Sequence, residues 1–282
     1  MFKATVLCEN SVFFSRYLIA EHGWSVYVQT PEGTFLWDTG QGLGLRNNAQ
    51  VLGADLHAID AVLLSHSHFD HTAGLEQVLM LHRQLPVYLH ADSFVPSYSA
   101  RTGQHIGIPF TREHLEAMGA QLHFNHTVQR VTPHLWLTGS IPRQVDFETG
   151  GNWPVLHEGE QTKPYRIPDD QTLVWEDEQG LCVLLGCAHA GVINILTHIL
   201  NHSERKEIAL LMGGTHLERA PRAQQDATIS APVSYTHLWP LQRKTAASNW
   251  KACGDVAHLT GFEPVAYRLG DGPSAYIPYQ RR

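Results

Sequence analysis

A histidine-rich segment at residues 65–71, which reads Ser-His-Ser-His-Phe-Asp-His, carries the clearest chemistry in this sequence. Imidazole and carboxylate groups without thiolate suit zinc, manganese or iron. His66 and His68 alternate and can meet one cation, whereas Asp70 and His71 can turn toward a neighbouring one. The segment therefore predicts a site for two metal ions. The alternative is a solvated histidine-rich turn, but crowding imidazoles and a carboxylate together gains nothing unless a cation neutralises them.

Three more histidines follow apolar runs in the same manner, namely His189, His216 and His258. If the corresponding strands lie side by side, the loops after them meet at one edge, and His189 can complete the site begun by His66 and His68. For any one of these residues, a structural histidine held by hydrogen bonds would be the commoner explanation. Because several histidine-bearing loops follow apolar runs in the same way, the pattern favours one site to which all of them contribute.

Buried strands must position these loops. Apolar runs and alternation predict strands at residues 2–8, 24–29, 34–37, 61–64, 86–90, 171–175, 181–185, 208–212, 255–258 and 264–269. Helices are predicted at residues 72–84, 112–118 and 192–201. Residues 61–68 and 182–189 echo each other, since each is an apolar run that ends in a histidine-bearing loop. We therefore expect two halves that pack against each other.

Residues 91–166 have a less regular pattern, rich in glycine, proline, histidine and aromatic residues. We expect this stretch to be an irregular insertion that shapes a pocket, with short strands near residues 128–131 and 135–137. No low-complexity linker divides the chain, so the sequence predicts a single domain over residues 1–282.

Composition narrows the classes of partner and compartment. The chain has 282 residues, of which 43% are hydrophobic, and a formal net charge of −7 without any lysine- and arginine-rich run, which argues against a nucleic-acid partner. No apolar stretch approaches the roughly 20 residues needed to span a bilayer. The four cysteines form no Cys-x-x-Cys pair, and the N-terminus lacks a secretory pattern, so we expect a reducing, cytoplasmic setting and a small-molecule substrate. The sequence does not predict the oligomeric state.

The ligand loop from His66 to His71, with Asp38-Thr39-Gly40 upstream, resembles the metallo-β-lactamase superfamily. The resemblance covers nearly the whole chain and narrows to one branch, named for 7,8-dihydropterin-6-methyl-4-(β-D-ribofuranosyl)aminobenzene-5′-phosphate synthase and often described as metal-dependent hydrolases. The motifs that carry it include Glu-His-Gly at 21–23, Asp-Asp-Gln at 169–171, and the segments 186–194, 213–217 and 258–261. It implies an α/β fold, a four-layer αββα sandwich with a dinuclear metal site at one edge. Residues 231–247 match the branch poorly.

The resemblance also implies roles for individual residues. One ion would be held by His66, His68 and His189, and the other by Asp70, His71 and His258, each ion being a divalent metal such as zinc, manganese or iron. Asp38 would accept a hydrogen bond from a ligand imidazole, or it is simply a turn-capping aspartate. Where many members carry a metal-bridging aspartate, this chain has Cys187, which is either a bridging thiolate or a small buried residue beneath the site.

Weaker candidates surround this set. Arg143 and Asn194 are predicted to contact the substrate, Arg143 by clamping an anionic group. Asp169 and Asp170 stand where other members place a ligand histidine, so a carboxylate can fill that role, although a capping pair at the surface is the safer assumption. Paired glycines before His216 suggest a residue that faces the substrate and donates a proton.

Together these features predict a metal-dependent hydrolase in which a water molecule activated by two metal ions attacks a small, phosphate-bearing or ester substrate, with Asp70 and His216 as catalytic residues. The alternative within the branch is a transferase of the synthase type. An RNA-processing nuclease would need a basic face that the acidic chain lacks. A non-catalytic metal-bound sensor would use the same ligands and differ only in turnover.

Overall fold

Two β-sheets packed face to face form the centre of the molecule. The computed structural model describes residues 2–12, 17–148, 154–158, 161–217 and 220–230, together with residues 267–268. The elements below all lie within these ranges.

The first sheet contains six strands in chain order. These strands, β1 to β6, span Lys3–Cys8, Ser25–Thr30, Gly33–Trp37, Ala61–Leu63, Leu85–His90 and Ala120–Asn125. Strands β1, β2 and β3 pair antiparallel, whereas β3, β4, β5 and β6 pair parallel. Because the carboxyl ends of parallel strands lie at the same edge of a sheet, the segments after β3, β4 and β5 begin side by side.

The remaining strands follow the first sheet along the chain. Strands β7 to β14 span Gln129–Arg130, Leu135–Leu137, Val155–Glu158, Gln161–Pro164, Leu173–Asp177, Gly180–Leu184, Ile208–Met212 and Tyr267–Arg268. Six of them form the second sheet in the order β14-β13-β12-β11-β8-β7, and β9 pairs with β10 as a separate hairpin. Within the second sheet β12 and β13 run parallel, so the loops after them also begin at one edge.

Helices cover the outer face of each sheet. The α-helices α1 to α6 span Leu45–Leu52, Phe69–Thr72, Leu75–Leu79, Arg112–Ala117, Val192–His202 and Arg222–Ser230, and a short 3₁₀ turn spans Leu56–Ala58. Within the described part of the chain, no helix is both long and apolar enough to cross a membrane.

Alternation along the strands explains the layers. In β4, Val62 packs on the helices α1 and α3, whereas its neighbour Leu63 points into the core between the sheets. In β12, Val183 packs under α5 and Leu184 points into the same central core. Side chains that alternate between two apolar layers keep each sheet buried on both faces. The predicted four-layer αββα sandwich is confirmed.

Three sequence expectations need revision. The helix expected at residues 72–84 is shorter and spans only Leu75–Leu79. A separate helical turn at Phe69–Thr72 precedes it, and the two do not join because the Gly74 N–H donates to the Gly40 carbonyl at 3.2 Å. Helix α1 was not predicted from the sequence. The stretch expected to be an insertion contributes β6 to the first sheet and β7 and β8 to the second. The expectations at residues 231–247 and 255–258 lie outside the described residues.

Candidate metal centre

The candidate centre lies where the loops after β3, β4, β12 and β13 meet. Two contacts join the sheets at this edge. The Trp37 indole N–H donates to the Leu185 carbonyl at 3.1 Å, and the Gln171 backbone N–H donates to the Ser65 carbonyl at 2.9 Å. The histidine-rich loop of the first sheet therefore faces the Cys187–His189 loop of the second.

Three imidazoles from these loops form the first group. His66 Nε2 lies 3.0 Å from His68 Nδ1 and 3.2 Å from His189 Nε2. His66 is buried, and His68 and His189 are partly buried. The structure thus brings together the three histidines that the resemblance assigned to one ion.

A hydrogen-bonded network beneath the loop sets the tautomers of two histidines. The Ser65 hydroxyl donates to Asp38 Oδ2 at 2.7 Å, so its oxygen accepts from His66 Nδ1 at 2.8 Å. His71 Nδ1 donates to the same Asp38 oxygen at 2.7 Å. The Asp38 carboxylate is fully buried and also accepts from the Ser65 backbone N–H at 2.7 Å. His66 consequently directs the lone pair of Nε2 into the centre, and His71, held by Asp38 through Nδ1, turns Nε2 toward it.

The second group lies on the other side of His66. His71 Nε2 is 3.1 Å from Cys187 Sγ and 3.5 Å from Asp70 Oδ2. The same Asp70 oxygen lies 3.4 Å from Nε2 of the half-exposed His22. Cys187 is buried and its Sγ faces a ring nitrogen of His71, so the thiol lies beside the second group.

Burial and neighbouring charges shift the pKa values of the four histidines in different directions. Burial, reinforced by the neighbouring imidazoles, lowers the pKa of His66 and that of His189 well below the usual value. Burial also lowers the pKa of His68 to about 4, although Asp70 opposes the shift. Burial disfavours protonation of His71 too, but Cys187, Asp38 and Asp70 outweigh it and raise its pKa. The first group is therefore a set of neutral imidazoles near pH 7, the protonation state that metal ions require.

Two buried atoms at the centre test whether a metal fits it. His68 Nε2 and Asp170 Oδ1 are buried without a hydrogen-bond partner. A buried polar atom without a partner costs about 1–3 kcal/mol, and a bound metal ion would supply that partner. The donor set of imidazole nitrogens, a carboxylate and a thiol suits zinc. The residues present therefore fit a transition-metal ion.

The backbone is strained at the same place. Asp38, Ala188 and His216 have φ angles of 56°, 49° and 53°, in the left-handed region that non-glycine residues rarely adopt. Such conformations cost of the order of 1–3 kcal/mol and gather where function demands a particular side-chain direction.

Asp169 and Asp170 are fully buried, so the expectation of a capping pair at the surface is wrong. Asp169 Oδ2 accepts from the Ser67 backbone N–H in the ligand loop, and Asp170 Oδ2 accepts from the Ala190 backbone N–H, each at 2.7 Å. Burial raises the pKa of Asp169 to about 6 and the pKa of Asp170 to about 7. The pair thus ties the two histidine loops together from below.

Arg143 and Asn194, predicted to contact the substrate, both form hydrogen bonds with protein backbone. Arg143 donates to the carbonyls of His189 and Arg166, each at 2.5 Å. The Asn194 side chain accepts from the backbone N–H groups of Gln144 and Val145 at 2.8 and 2.9 Å and donates to the Ala190 carbonyl at 2.8 Å. Asn194 is buried, so its amide is committed to the loop that carries His189.

His216 is exposed at the mouth of the centre, with its ring centroid 4.6 Å from that of His189. A Cβ on Gly213 would clash with the Leu185 carbonyl oxygen, and one on Gly214 would lie 2.7 Å from the Gly186 carbonyl oxygen. These glycines therefore allow close packing on the Cys187 loop. His258 lies outside the described residues.

Sequence reasoning gave no separate role to two residues at the centre. His22 was quoted only as part of a motif, and nothing in its local pattern indicates that it lies beside Asp70. Glu148 accepts from the backbone N–H groups of Ile193 and Asn194 at 2.8 and 2.9 Å and so caps α5 from 45 residues away. A cap supplied by a distant segment leaves no signal in the sequence beside the helix.

Comparison with known proteins gives consistent results. The family model of the metallo-beta-lactamase superfamily matches residues 18–186, more than half of the chain. A relative from Methanocaldococcus jannaschii, named 7,8-dihydropterin-6-methyl-4-(beta-D-ribofuranosyl)-aminobenzene-5'-phosphate synthase, is 24% identical over 243 residues, which cover 81% of this chain and 82% of the relative. The uncharacterized protein MJ0448 of the same organism is 26% identical over 216 residues, covering 75% of this chain and 78% of the relative.

A solved structure has the same fold. Tm1679, described as a metal-dependent hydrolase of the beta-lactamase superfamily, superposes with a TM-score of 0.70 at 24% identity, and the alignment covers 84% of this chain and 85% of that one.

Proposed function

Because the chain belongs to the metallo-beta-lactamase superfamily, we propose that it is a metal-dependent hydrolase with two divalent metal ions, zinc in both positions, that acts on a small phosphate-bearing or ester substrate. The observation that carries the proposal is the convergence of His66, His68 and His189 on one point. One ring nitrogen from each of His68 and His189 lies close to His66 Nε2, which presents a lone pair there.

The two groups of side chains would each hold one ion. His66, His68 and His189 would hold the first, and Asp70 and His71 would hold the second with Cys187 beside them; His258 is proposed as a further ligand of the second. Divalent ions in such a site supply two kinds of chemistry, a lowered pKa of a water molecule and polarisation of a carbonyl or phosphoryl oxygen.

The chain's own residues orient the ligands and move the proton. Asp38 and Ser65 hold His66 and His71 in one tautomer, so that each presents Nε2 to the centre. His216 lies beside His189 and is exposed, which supports a role toward the substrate. We assign to His216 the proton donated to the leaving group. Arg143 and Asn194 keep the His189 loop in place.

Metal content and activity test the proposal together. Elemental analysis of the full-length protein should give about two equivalents of metal, because each ion needs roughly three protein ligands. A panel of phosphodiesters, phosphomonoesters, lactones and thioesters should include at least one substrate whose hydrolysis stops in chelator and returns with zinc. His57→Ala, a substitution outside both groups, is the control and should match the wild type. Full activity in a metal-free, folded protein would refute the proposal.

A second candidate function is the transferase reaction named in the Methanocaldococcus jannaschii relative. The ligand groups would be the same, and the difference lies in the acceptor of the transferred group. Product analysis with the pterin substrate and a ribofuranosyl-aminobenzene phosphate separates the two. A condensation product would favour the transferase, and hydrolysis products alone would favour the hydrolase.

A further inference from the structure

His22 is a further histidine beside the candidate metal centre, and the proposed function gives it no role. Its Nε2 lies 3.4 Å from Asp70 Oδ2, and its ring centroid lies 6.3 Å from that of Phe69. The side chain of His22 is 42% exposed, whereas that of Asp70 is 6% exposed. His22 therefore approaches a buried carboxylate from the solvent side.

The turn that carries His22 packs against the backbone of Asp70. The Trp24 N–H donates to the Asp70 carbonyl at 3.1 Å, and a Cβ on Gly23 would lie 2.5 Å from the same oxygen. The Gln41 side-chain amide donates to the His22 carbonyl. These contacts fix the backbone at His22 relative to Asp70.

A buried carboxylate holds the residue before His22 in place. Glu21 is 5% exposed and accepts the backbone N–H groups of Gln41 and Gly44 at 3.1 and 2.7 Å. The turn is therefore anchored on both sides of His22, at Glu21 and at Trp24. The contact between His22 and Asp70 follows from this packing.

The Asp70 carboxylate differs from its neighbours in how it is held. Three other buried carboxylates at the centre each accept a backbone N–H at 2.7 Å, namely those of Asp38, Asp169 and Asp170. Within the described part of the chain, the polar contacts of the Asp70 carboxylate are with His22 and His71, at 3.4 and 3.5 Å. Orientation of this carboxylate therefore depends on side chains.

A metal ion at the second group would leave this task to His22. A metal-bound histidine is neutral and gives its lone pair to the ion, so His71 Nε2 cannot donate to Asp70 in that state. The Nε2–H of His22 still faces Asp70 Oδ2. Carboxylates that bind metals are themselves commonly held by such a hydrogen-bond donor.

We propose that His22 is a positioning residue that holds the Asp70 carboxylate in the orientation that binds the second ion. The inference rests on the proposed function, since it requires an ion at Asp70 and His71. Loss of an orienting partner typically weakens metal affinity 10–100-fold. His22 is half-exposed, and its contact is longer than the roughly 2.7–3.2 Å of a good hydrogen bond, so the expected loss is about tenfold.

Zinc titration of metal-free, full-length variants against a competing chelator tests the proposal. His22→Ala removes the donor, whereas His22→Gln keeps an N–H donor at the end of a side chain of similar length. Circular dichroism checks that both variants fold. His114→Ala is the matched control, because His114 is also half-exposed and its Nε2 lies 3.0 Å from Glu76 Oε1, outside the two groups of the centre.

We expect one of the two zinc affinities to fall about tenfold in His22→Ala and to recover at least partly in His22→Gln. The other affinity and the total zinc bound at saturation should stay as in the wild type, and His114→Ala should match the wild type throughout. In Asp70→Ala, adding His22→Ala should leave the remaining affinity unchanged, because the carboxylate through which His22 acts is gone.

Two unchanged affinities in a folded His22→Ala protein would overturn the proposal. Loss of a whole zinc equivalent would also overturn it, because His22 would then be a ligand. The wild type tests the proposed function separately. Two bound ions without hydrolysis of any substrate would contradict that function and leave the comparison of the His22 variants valid, whereas a wild type without a second ion would overturn both.

Discussion

Replacing Asp38 with asparagine isolates the role of one buried carboxylate in metal binding. Asparagine tolerates the left-handed backbone at this position and has nearly the same volume, so the fold should persist. Its carbonyl can still accept the Ser65 backbone N–H, but its NH₂ group now faces His71 Nδ1 and the Ser65 hydroxyl, which lay 2.7 Å from Asp38 Oδ2. Two donors then meet at that position.

The conflict is relieved if His71 changes tautomer. Nδ1 then accepts from the asparagine, and Nε2 carries a proton toward the centre, where it can no longer bind a metal. Loss of a partner that orients a metal-bound histidine typically weakens metal affinity 10–100-fold. This corresponds to about 1.4–2.7 kcal/mol. We expect the loss to affect the ion held by His71 more than the ion held by His189.

Zinc titration of the metal-free variant against a competing chelator measures both affinities. One site should be weakened by that factor, with the other much less affected. The control is Asp55→Asn, because Asp55 accepts a backbone N–H of a surface turn by its side chain and takes no part in the centre. Two unchanged affinities in a folded Asp38→Asn protein would show that the Asp38–His71 contact does not select the tautomer.

Three further predictions concern other residues of the centre. His216→Ala should lower kcat by about 10²–10⁴-fold with metal content intact, as measured by steady-state kinetics and elemental analysis; loss of one metal equivalent would make His216 a ligand instead. Burial raises the pKa of Asp170 to about 7 in the folded protein. Its contribution to stability is therefore complete below about pH 4, where the unfolded chain is protonated too, and is lost as the pH rises through 7. Urea unfolding of the metal-free protein should therefore show Asp170→Asn equal to the wild type at pH 4 and more stable by up to about 4 kcal/mol at pH 8; no pH dependence of the difference would contradict this. Glu148→Ala should cost about 0.5–2 kcal/mol in thermal unfolding through loss of the α5 cap, with the exposed Glu113→Ala as control; a loss no larger than the control's would argue against the cap.

Local features of the sequence were sufficient for the ligand loop and most strands. His66, His68, Asp70 and His71 lie within a few residues of one another, so their proximity follows from covalent connection alone. The eight strands expected between residues 2 and 212 from apolar runs agree with the observed ones to within two residues at each end, for example at Ile208–Met212. A strand that is buried on both faces of a sheet appears in the sequence as a nearly continuous apolar run, which makes it easy to identify. The family resemblance rests on the loops between these runs.

Interactions between distant segments were beyond the reach of local patterns. The helix after the ligand loop was predicted to be too long, because the Gly74 N–H donates to the Gly40 carbonyl. Sequence periodicity gives no indication of this distant acceptor. Arg143 and Asn194 have side chains suited to substrate contact, and both donate hydrogen bonds to backbone carbonyls of the His189 loop. A polar side chain binds whichever partner the packed chain brings near, and the sequence does not specify that partner.

The residue types of the candidate centre and the metals that suit them could be inferred from the chain alone. That His189 meets His66 across 123 residues and that Asp170 is buried below the centre follow instead from the packing of the two sheets. The physical reason is that donor atoms must lie within a few ångströms of one another to share an ion. Strand pairing and sheet packing fix such distances between remote segments, whereas composition and periodicity describe only neighbours along the chain.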